Sequence, residues 1–375
     1  MKGSMIAVLS LVSVVLAVGV GRSEASSINL DDLNWSVQYM IDQSQTVLGF
    51  SQGTAPRDNR GLAISPDGRY LYGGYNNGYE VRMIDLWETD YTDATVVRTT
   101  ASRGKAIAVD DVGRVFLSDA TSIKIYDAGL TTLQQTVTIS GGALEGVATV
   151  READQLVMYN SDRNTGDLSR WLLTEAGGSV TGAALDSSWG SSGQVSLAVN
   201  IRGVEVDSTG RIWVAGHETD KVYVVSADGL SYQSIDNVVK PMDIGFDGLR
   251  ALVTQYTQRQ IGVFDTTTLS LLTSVTAPWT ALELDPDGQS GGGAFSGIAV
   301  LPGVGFYVTN EAGQTADEKS TYGRVDDFSG WLDGKYYTAL THDDNDPILY
   351  ATPEPATLSL LAVGGVLALL RRRSK

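Results

Sequence analysis

The chain has 375 residues, 42% of them hydrophobic, and a formal net charge of −17; this composition is that of a globular protein and excludes disorder throughout. The absence of cysteine excludes disulfides, thiolate metal sites and cysteine nucleophiles. Residues 26–352 alone carry 21 basic and 42 acidic side chains, and so acidic a surface argues against binding to nucleic acid.

The N-terminus has the features of an export signal. Lys2 supplies a positive charge ahead of residues 6–18, which form an uncharged apolar run. Residues 23–25 then offer the small-residue pattern that a signal peptidase accepts. The apolar run is short for a membrane span. We therefore predict that residues 1–25 are a signal peptide, with its apolar run helical, and that they are removed.

The middle of the chain contains a degenerate repeat of about 45 residues, the length of a propeller blade. The six copies that can be counted begin at Gly61, Gly104, Gly146, Gly203, Met242 and Gly297. Within a copy, apolar residues such as Leu62 and Ile64 alternate with small or polar ones and are followed by a turn rich in Asp and Gly. This alternation indicates strands joined by tight turns, with few helices.

Four short strands for each repeat predict an all-β fold, a β-propeller of six or seven four-stranded blades. A β-helix has shorter repeats, and stacked sandwiches would not repeat. A seventh blade could be assembled from residues 37–50, 335–340 and 348–351, which would join the two ends of the chain and hide sheet edges. On that ground we expect seven blades rather than six.

Two stretches of the repeat carry a family resemblance. The segments AISPDGRYLYGGY (residues 63–75) and VEVDSTGRIWVAG (residues 204–216) resemble blades of NHL, YVTN and gluconolactonase-like propellers. The resemblance extends over residues 61–326. It implies the propeller fold and says little about activity, because propellers host many functions.

The C-terminus carries a second targeting pattern. Pro353, Glu354 and Pro355 precede an apolar run at residues 356–370, which is followed by three arginines at positions 371, 372 and 373. A helix of that run is short for a membrane core, although flanking arginines can reach the interface. The arginines should stay cytoplasmic, which predicts one membrane pass with the bulk of the protein outside.

This C-terminal arrangement resembles the PEP-CTERM sorting signal of bacterial surface proteins, with the sorting residues Pro353, Glu354, Pro355, Arg371, Arg372 and Arg373. The resemblance implies an exosortase-type partner, processing near the Pro-Glu-Pro, and delivery to an outer surface or an exopolysaccharide matrix. An ordinary tail anchor would share the topology without the processing. The predicted domains are thus a signal peptide (1–25), a propeller ectodomain (26–350) and a sorting segment with a hydrophobic helix (351–375).

A ligand site is predicted at one mouth of the central channel. If each repeat begins an inner strand, the residues just before the repeats converge there, namely Arg60, Arg103, Glu145, Arg202 and Ser296, with Lys240 two residues before Met242. Four cations on one axis of an acidic domain could hold an anion such as a carboxylated sugar, a phosphate or an acidic peptide. Alternatively, each arginine pairs with a nearby acid and only fixes the end of a strand.

An enzymatic alternative also involves Glu145. In gluconolactonase-like enzymes a Glu at the start of an inner strand binds the catalytic metal, and Glu145 resembles that position, although arginines occupy the equivalent places in neighbouring copies. Residues 342–347 (HDDNDP) could bind calcium, but they lack the glycine and final Glu of an EF-hand loop. His217 and His342 lie too far apart along the chain to suggest a zinc site.

Together these patterns predict an exported, surface- or matrix-associated binding propeller that is not an enzyme and needs no cofactor. Its ligand would be a glycan such as an exopolysaccharide, an anion or a surface protein. The alternatives are a metal-dependent lactonase or lyase with an axial metal, and a purely structural repeated shell.

Overall fold

The computed structural model describes residues 27–28, 30, 33–39, 57–77, 80–85, 96–100, 104–139, 142–276, 294–303, 305–311 and 348–353. The predicted signal helix, the C-terminal hydrophobic helix and the HDDNDP segment lie outside these ranges. Within them the secondary structure is β-strand apart from two 3-10 turns, His217–Thr219 and Tyr256–Gln258. None of the described helices is long and apolar enough to cross a membrane.

The described strands form six sheets, which we number I to VI. In chain order the strands are β1 (Leu33–Tyr39), β2 (Arg57–Ile64), β3 (Tyr70–Asn77), β4 (Glu80–Asp85), β5 (Val96–Thr100), β6 (Ile107–Val109), β7 (Val115–Asp119), β8 (Ser122–Tyr126), β9 (Leu133–Thr138), β10 (Leu144–Glu152), β11 (Gln155–Asp162), β12 (Asp167–Ala176), β13 (Ser179–Leu185), β14 (Gln194–Ser196), β15 (Ile201–Val206), β16 (Ile212–Gly216), β17 (Lys221–Val225), β18 (Tyr232–Asp236), β19 (Pro241–Asp247), β20 (Arg250–Gln255), β21 (Gln260–Asp265), β22 (Leu271–Thr276), β23 (Ala294–Leu301), β24 (Gly305–Glu311) and β25 (Ile348–Pro353).

Sheets I to V each contain an antiparallel meander of four consecutive strands, as the repeat predicted. Sheet I holds β2 to β5, sheet II β6 to β9, sheet III β10 to β13, sheet IV β15 to β18 and sheet V β19 to β22. Strand β14 also pairs with β12 and makes sheet III five-stranded. The first strands contact one another in chain order, and β23 contacts β2. The fold is therefore all-β and propeller-like.

Sheet VI joins the two ends of the chain, and the described strands do not form the expected seventh blade. Its order is β1-β25-β24-β23, so that the N-terminal strand and the strand Ile348–Pro353 complete the sheet of the sixth repeat. Of the three stretches assigned to a seventh blade, 335–340 and most of 37–50 lie outside the described residues. The sixth repeat lacks outer strands of its own in the described part, and pairing with β1 and β25 satisfies its edge.

The hydrophobic core lies between neighbouring sheets. One cluster packs Tyr72 and Val81 of sheet I against Val115 and Leu117 of sheet II, and similar clusters join sheets II and III, III and IV, and IV and V. The largest fully buried side chain is Trp213. Burial on both sides explains why a second strand such as Ile212–Gly216 is apolar throughout rather than alternating.

The turns between the first and second strands of sheets II and IV follow one scheme. In sheets II and IV an Asp accepts from the backbone and side chain of an Arg four residues later, as in the pairs Asp110–Arg114 and Asp207–Arg211. The intervening Gly113 and Gly210 have φ of 92° and 83°, a left-handed conformation that glycine adopts without strain. The Asp-Gly spacing of the repeat thus encodes its turn.

The repeat glycines permit the first strands to approach closely. A Cβ at Gly146 would lie 2.3 Å from the carbonyl oxygen of Arg202, and one at Gly297 would lie 2.2 Å from that of Arg60. Hydroxyls on the second strands add to this contact. Thr254 accepts from the Asp243 N–H (2.9 Å) and donates to the Ser296 carbonyl (2.6 Å) of the next sheet.

Candidate functional site

The main polar cluster of the channel mouth is centred on Glu145, whose side chain is only 1% exposed. Lys105 Nζ donates to Glu145 Oε1 at 2.6 Å, and Arg202 Nη1 donates to Oε2 at 2.7 Å. Arg60 Nη1 lies 3.3 Å from Oε2, and Arg163 Nη1 lies 3.4 Å from Oε1. We call these five residues the mouth cluster.

The mouth cluster is assembled by four consecutive sheets. Arg60 belongs to β2, Lys105 precedes β6, Glu145 begins β10 and Arg202 belongs to β15. The fifth member, Arg163, follows the end of β11. Because the first strands of these sheets contact one another, residues up to 142 positions apart in sequence meet at one carboxylate.

The charges of the cluster are unbalanced, since four cations surround one carboxylate. Burial alone would raise the pKa of Glu145, but the charges of Arg202, Lys105 and Arg60 hold it below its usual value. Burial lowers the pKa of Arg202 despite the opposing effect of Glu145, and Arg202 Nε is buried without a hydrogen-bond partner. Among the ion pairs of the described residues, the cluster is therefore an electropositive site that the Glu145 carboxylate only partly neutralises.

Arg163 gives the cluster an exposed edge. Its side chain is 40% exposed, whereas those of Arg60, Lys105 and Arg202 are mostly buried. An incoming anion would therefore meet a guanidinium that can form two parallel hydrogen bonds to a carboxylate or phosphate.

The structure brings together Arg60, Glu145 and Arg202 of the predicted residues. Lys240 instead pairs with Glu218, at 2.9 Å from Nζ to Oε2, and makes no ion pair with Glu145 among the described contacts. Arg103 lies outside the described residues.

Lys105 and Arg163 were missed by sequence reasoning. The predicted positions are counted mainly from glycines, but the backbone N–H groups that donate to a second-strand hydroxyl belong to Ala106, Asp243 and Gly297. The residue before Ala106 is Lys105, not Arg103. Counting from the apolar residues of the strand instead of from Gly104 therefore identifies Lys105. Arg163 lies in a turn, where the repeat carries no signal.

The C-terminal residues 351–374 match the model of the PEP-CTERM protein-sorting motif. This match covers the Pro-Glu-Pro, the apolar run and the arginines. The chain carries an exosortase sorting signal. The motif indicates an exported, cell-envelope-associated protein that exosortase recognises. The prediction of an exosortase partner is thus confirmed by the sorting motif.

Apart from the PEP-CTERM motif, the chain shows only weak similarity to known proteins. No curated protein matches it. Similar solved structures include a protein of unknown function from Bacteroides caccae (12% identity, TM-score 0.47, covering 66% of this chain and 84% of that one). Others are a nidogen/laminin complex (13%, 0.49, 66% and 93%) and the WD40 repeats of RRP9 (12%, 0.49, 76% and 78%). Likeness at this level carries no argument about function.

The mouth cluster does not fit a catalytic metal at Glu145. Both carboxylate oxygens already accept from cations, and a divalent ion there would be repelled by four positive charges. The described residues contain no group of three or more His, Asp or Glu arranged to hold a metal ion. No step of a lactonase or lyase reaction can be derived from this geometry.

His217, the described histidine near the mouth, has a structural role. Its Nδ1 lies 3.3 Å from the Pro241 carbonyl oxygen, and its ring packs edge-on against Tyr256. Burial, together with the charge of Arg202, lowers the pKa of His217 to about 4. The imidazole is therefore neutral near pH 7 and adds no charge to the site.

Proposed function

We propose that this exported protein is a non-catalytic binding propeller, with the mouth cluster as its ligand site. The ligand is an anion that presents a carboxylate or phosphate, as part of an acidic glycan or of a surface protein. The observation that carries the proposal is the excess of positive charge at Glu145 within an acidic domain. An acidic surface around a positive mouth focuses anionic groups on that one place.

The proposal also covers the number of blades, the processing of the chain and its final location. The six described sheets would be the six blades of one closed ring of the NHL-like type. The signal peptide 1–25 would be removed during export, and exosortase would process the chain near Pro353, Glu354 and Pro355. The product would then lie on the outer surface or in an exopolysaccharide matrix.

A binding assay with matched polymers tests the site. Full-length protein purified from membranes would be titrated with an acidic polysaccharide rich in uronate and with a neutral polysaccharide of similar length. We expect binding of the acidic polymer only, with an affinity that falls as salt is raised. The variant Arg163→Gln should weaken binding by about tenfold, because it removes a charge-assisted hydrogen bond.

The matched control is Lys221→Gln. The Lys221 side chain is 39% exposed, like that of Arg163, but pairs with Asp236 on the outer strands of sheet IV. Equal loss in the two variants would mean that the polymer binds by general charge, and binding of the neutral polymer would refute an anion site. A signal in an inorganic phosphate titration would separate a phosphate ligand from a carboxylate one.

A further inference from the structure

A cavity of about 280 Å³ lies inside the channel, deeper than the mouth cluster. It is lined by the first strands of all six sheets and contains no residue of the mouth cluster. Most of its lining is aliphatic, as in Leu62, Ile107 and Ile298, and Phe246 adds an aromatic ring. A concave site with mainly aliphatic side chains and a few polar ones is the usual form of a small-molecule site.

One residue of this lining departs from the repeat. Opposite a large side chain of the second strand, the other sheets place Ala63 (facing Tyr72), Ala108 (facing Phe116), Ala148 (facing Tyr159), Gly245 (facing Leu252) and Ala299 (facing Tyr307). At the same place sheet IV has Glu205, facing Trp213. Packing of the first strands therefore favours a small residue at this position. The Glu205 carboxylate has no counterpart in the other sheets, so the repeat does not require it.

A second acid, Asp243, lies near Glu205 on the neighbouring strand β19. Its carboxylate accepts from the Ile244 and Ile298 N–H groups at 3.0 and 3.1 Å. That of Glu205 accepts from its neighbour Val206 at 2.9 Å. The described contacts give neither acid an ion pair with Lys, Arg or His. Burial raises the pKa of Glu205 to about 7, and burial with the charge of Glu205 raises that of Asp243 to about 8.

The cavity also contains an unused hydroxyl. Thr149 lines it from β10, the strand next to β15, and its Oγ1 is buried without a hydrogen-bond partner. Leaving a buried hydroxyl unpaired costs free energy. Among the described contacts, an unpaired hydroxyl and a carboxylate thus line the cavity without a cation to match them.

We propose that the channel cavity binds a small primary alkylammonium ion, with Glu205 as its counter-ion and Thr149 as a further acceptor. The ammonium group supplies three donors to these oxygens, and the alkyl chain lies against the aliphatic lining. A calcium ion fits less well, because it needs six to eight oxygen ligands. This cation site is separate from the anion site at the mouth.

The test is isothermal titration of the full chain with n-butylammonium chloride at pH 8.5, where Glu205 is ionised. We expect one bound ion per chain, and no binding of n-butanol or butyrate. Glu205→Gln should weaken binding by about thirtyfold, as expected for removal of one partner of a buried charge pair. Thr149→Val, which keeps the side-chain shape, should weaken it by about tenfold.

The control variant is Asp154→Asn, which removes an exposed acid in the turn between β10 and β11 and should leave the affinity unchanged. Both test substitutions preserve side-chain volume, and far-ultraviolet circular dichroism of each variant confirms its fold. The proposal is overturned if no alkylammonium from ethyl to hexyl binds, if binding survives in Glu205→Gln, or if calcium binds stoichiometrically and displaces butylammonium.

Discussion

Glu145→Gln should strongly destabilise the fold, because it removes the one acid of the mouth cluster. The Glu145 carboxylate is 1% exposed and lies 2.6 and 2.7 Å from the cationic groups of Lys105 and Arg202, which are 10% and 11% exposed. With so little solvent, these pairs are not much screened. Leaving buried cations without their partner costs about 3–5 kcal/mol. We expect the free energy of unfolding to fall by that amount.

Urea denaturation followed by tryptophan fluorescence measures this loss. The control is Asp236→Asn, whose side chain is 58% exposed and pairs with Lys221, itself 39% exposed. Exposed pairs contribute about 0–1 kcal/mol, so this variant should unfold almost like the wild type. Adding Arg202→Met to Glu145→Gln should recover part of the loss, with a coupling of about 1–3 kcal/mol. A loss below about 1 kcal/mol in Glu145→Gln would refute the reasoning.

The pH dependence gives an independent check of the same carboxylate. Burial opposes ionisation of Glu145, but Arg202, Lys105 and Arg60 prevail and lower its pKa in the folded state. Its stabilising effect is therefore present above the unfolded pKa of about 4.5 and is lost as the pH falls through the depressed folded value. Wild type should lose this stabilisation on acidification, while Glu145→Gln should not.

Three further substitutions probe other parts of the chain. Glu205→Gln should raise the free energy of unfolding by about 2 kcal/mol at pH 8 and by little at pH 4. The reason is that the raised pKa of Glu205 in the folded state costs the wild type stability as the pH rises from about 4.5 to about 7. Urea denaturation at both pH values measures this difference. Gly297→Ala should lower the thermal midpoint sharply, since its Cβ would lie 2.2 Å from the Arg60 carbonyl oxygen, whereas Gly182→Ala, with 3.5 Å to its nearest neighbour, should be tolerated. Ile28→Asp should cost about 3 kcal/mol, because this buried residue also bonds through its backbone to Asp247 and Arg250; an unchanged midpoint would refute that anchoring role.

The strand pattern was readable because it is local. The alternation around Leu62 and Ile64 and the Asp-Gly turns at Gly113 and Gly210 depend on neighbours within a few residues, and the structure has strands and turns there. The C-terminal motif was equally readable, since its three parts are contiguous. By contrast, the placement of β25 beside β24 depends on pairing across 36 residues outside the described ranges, and no local signal chooses the sheet that a strand joins.

The sequence by itself determined the all-β class, the repeat, the sorting signal and the general position of a polar cluster at Arg60, Glu145 and Arg202. Only the tertiary structure decided that Lys105 and Arg163 complete that cluster, that Lys240 pairs elsewhere, and that Glu205 faces a cavity. The physical reason is that electrostatic and packing energies depend on distances through space. In a propeller-like fold those distances are set by how the first strands of neighbouring sheets meet, which no single stretch of the chain records.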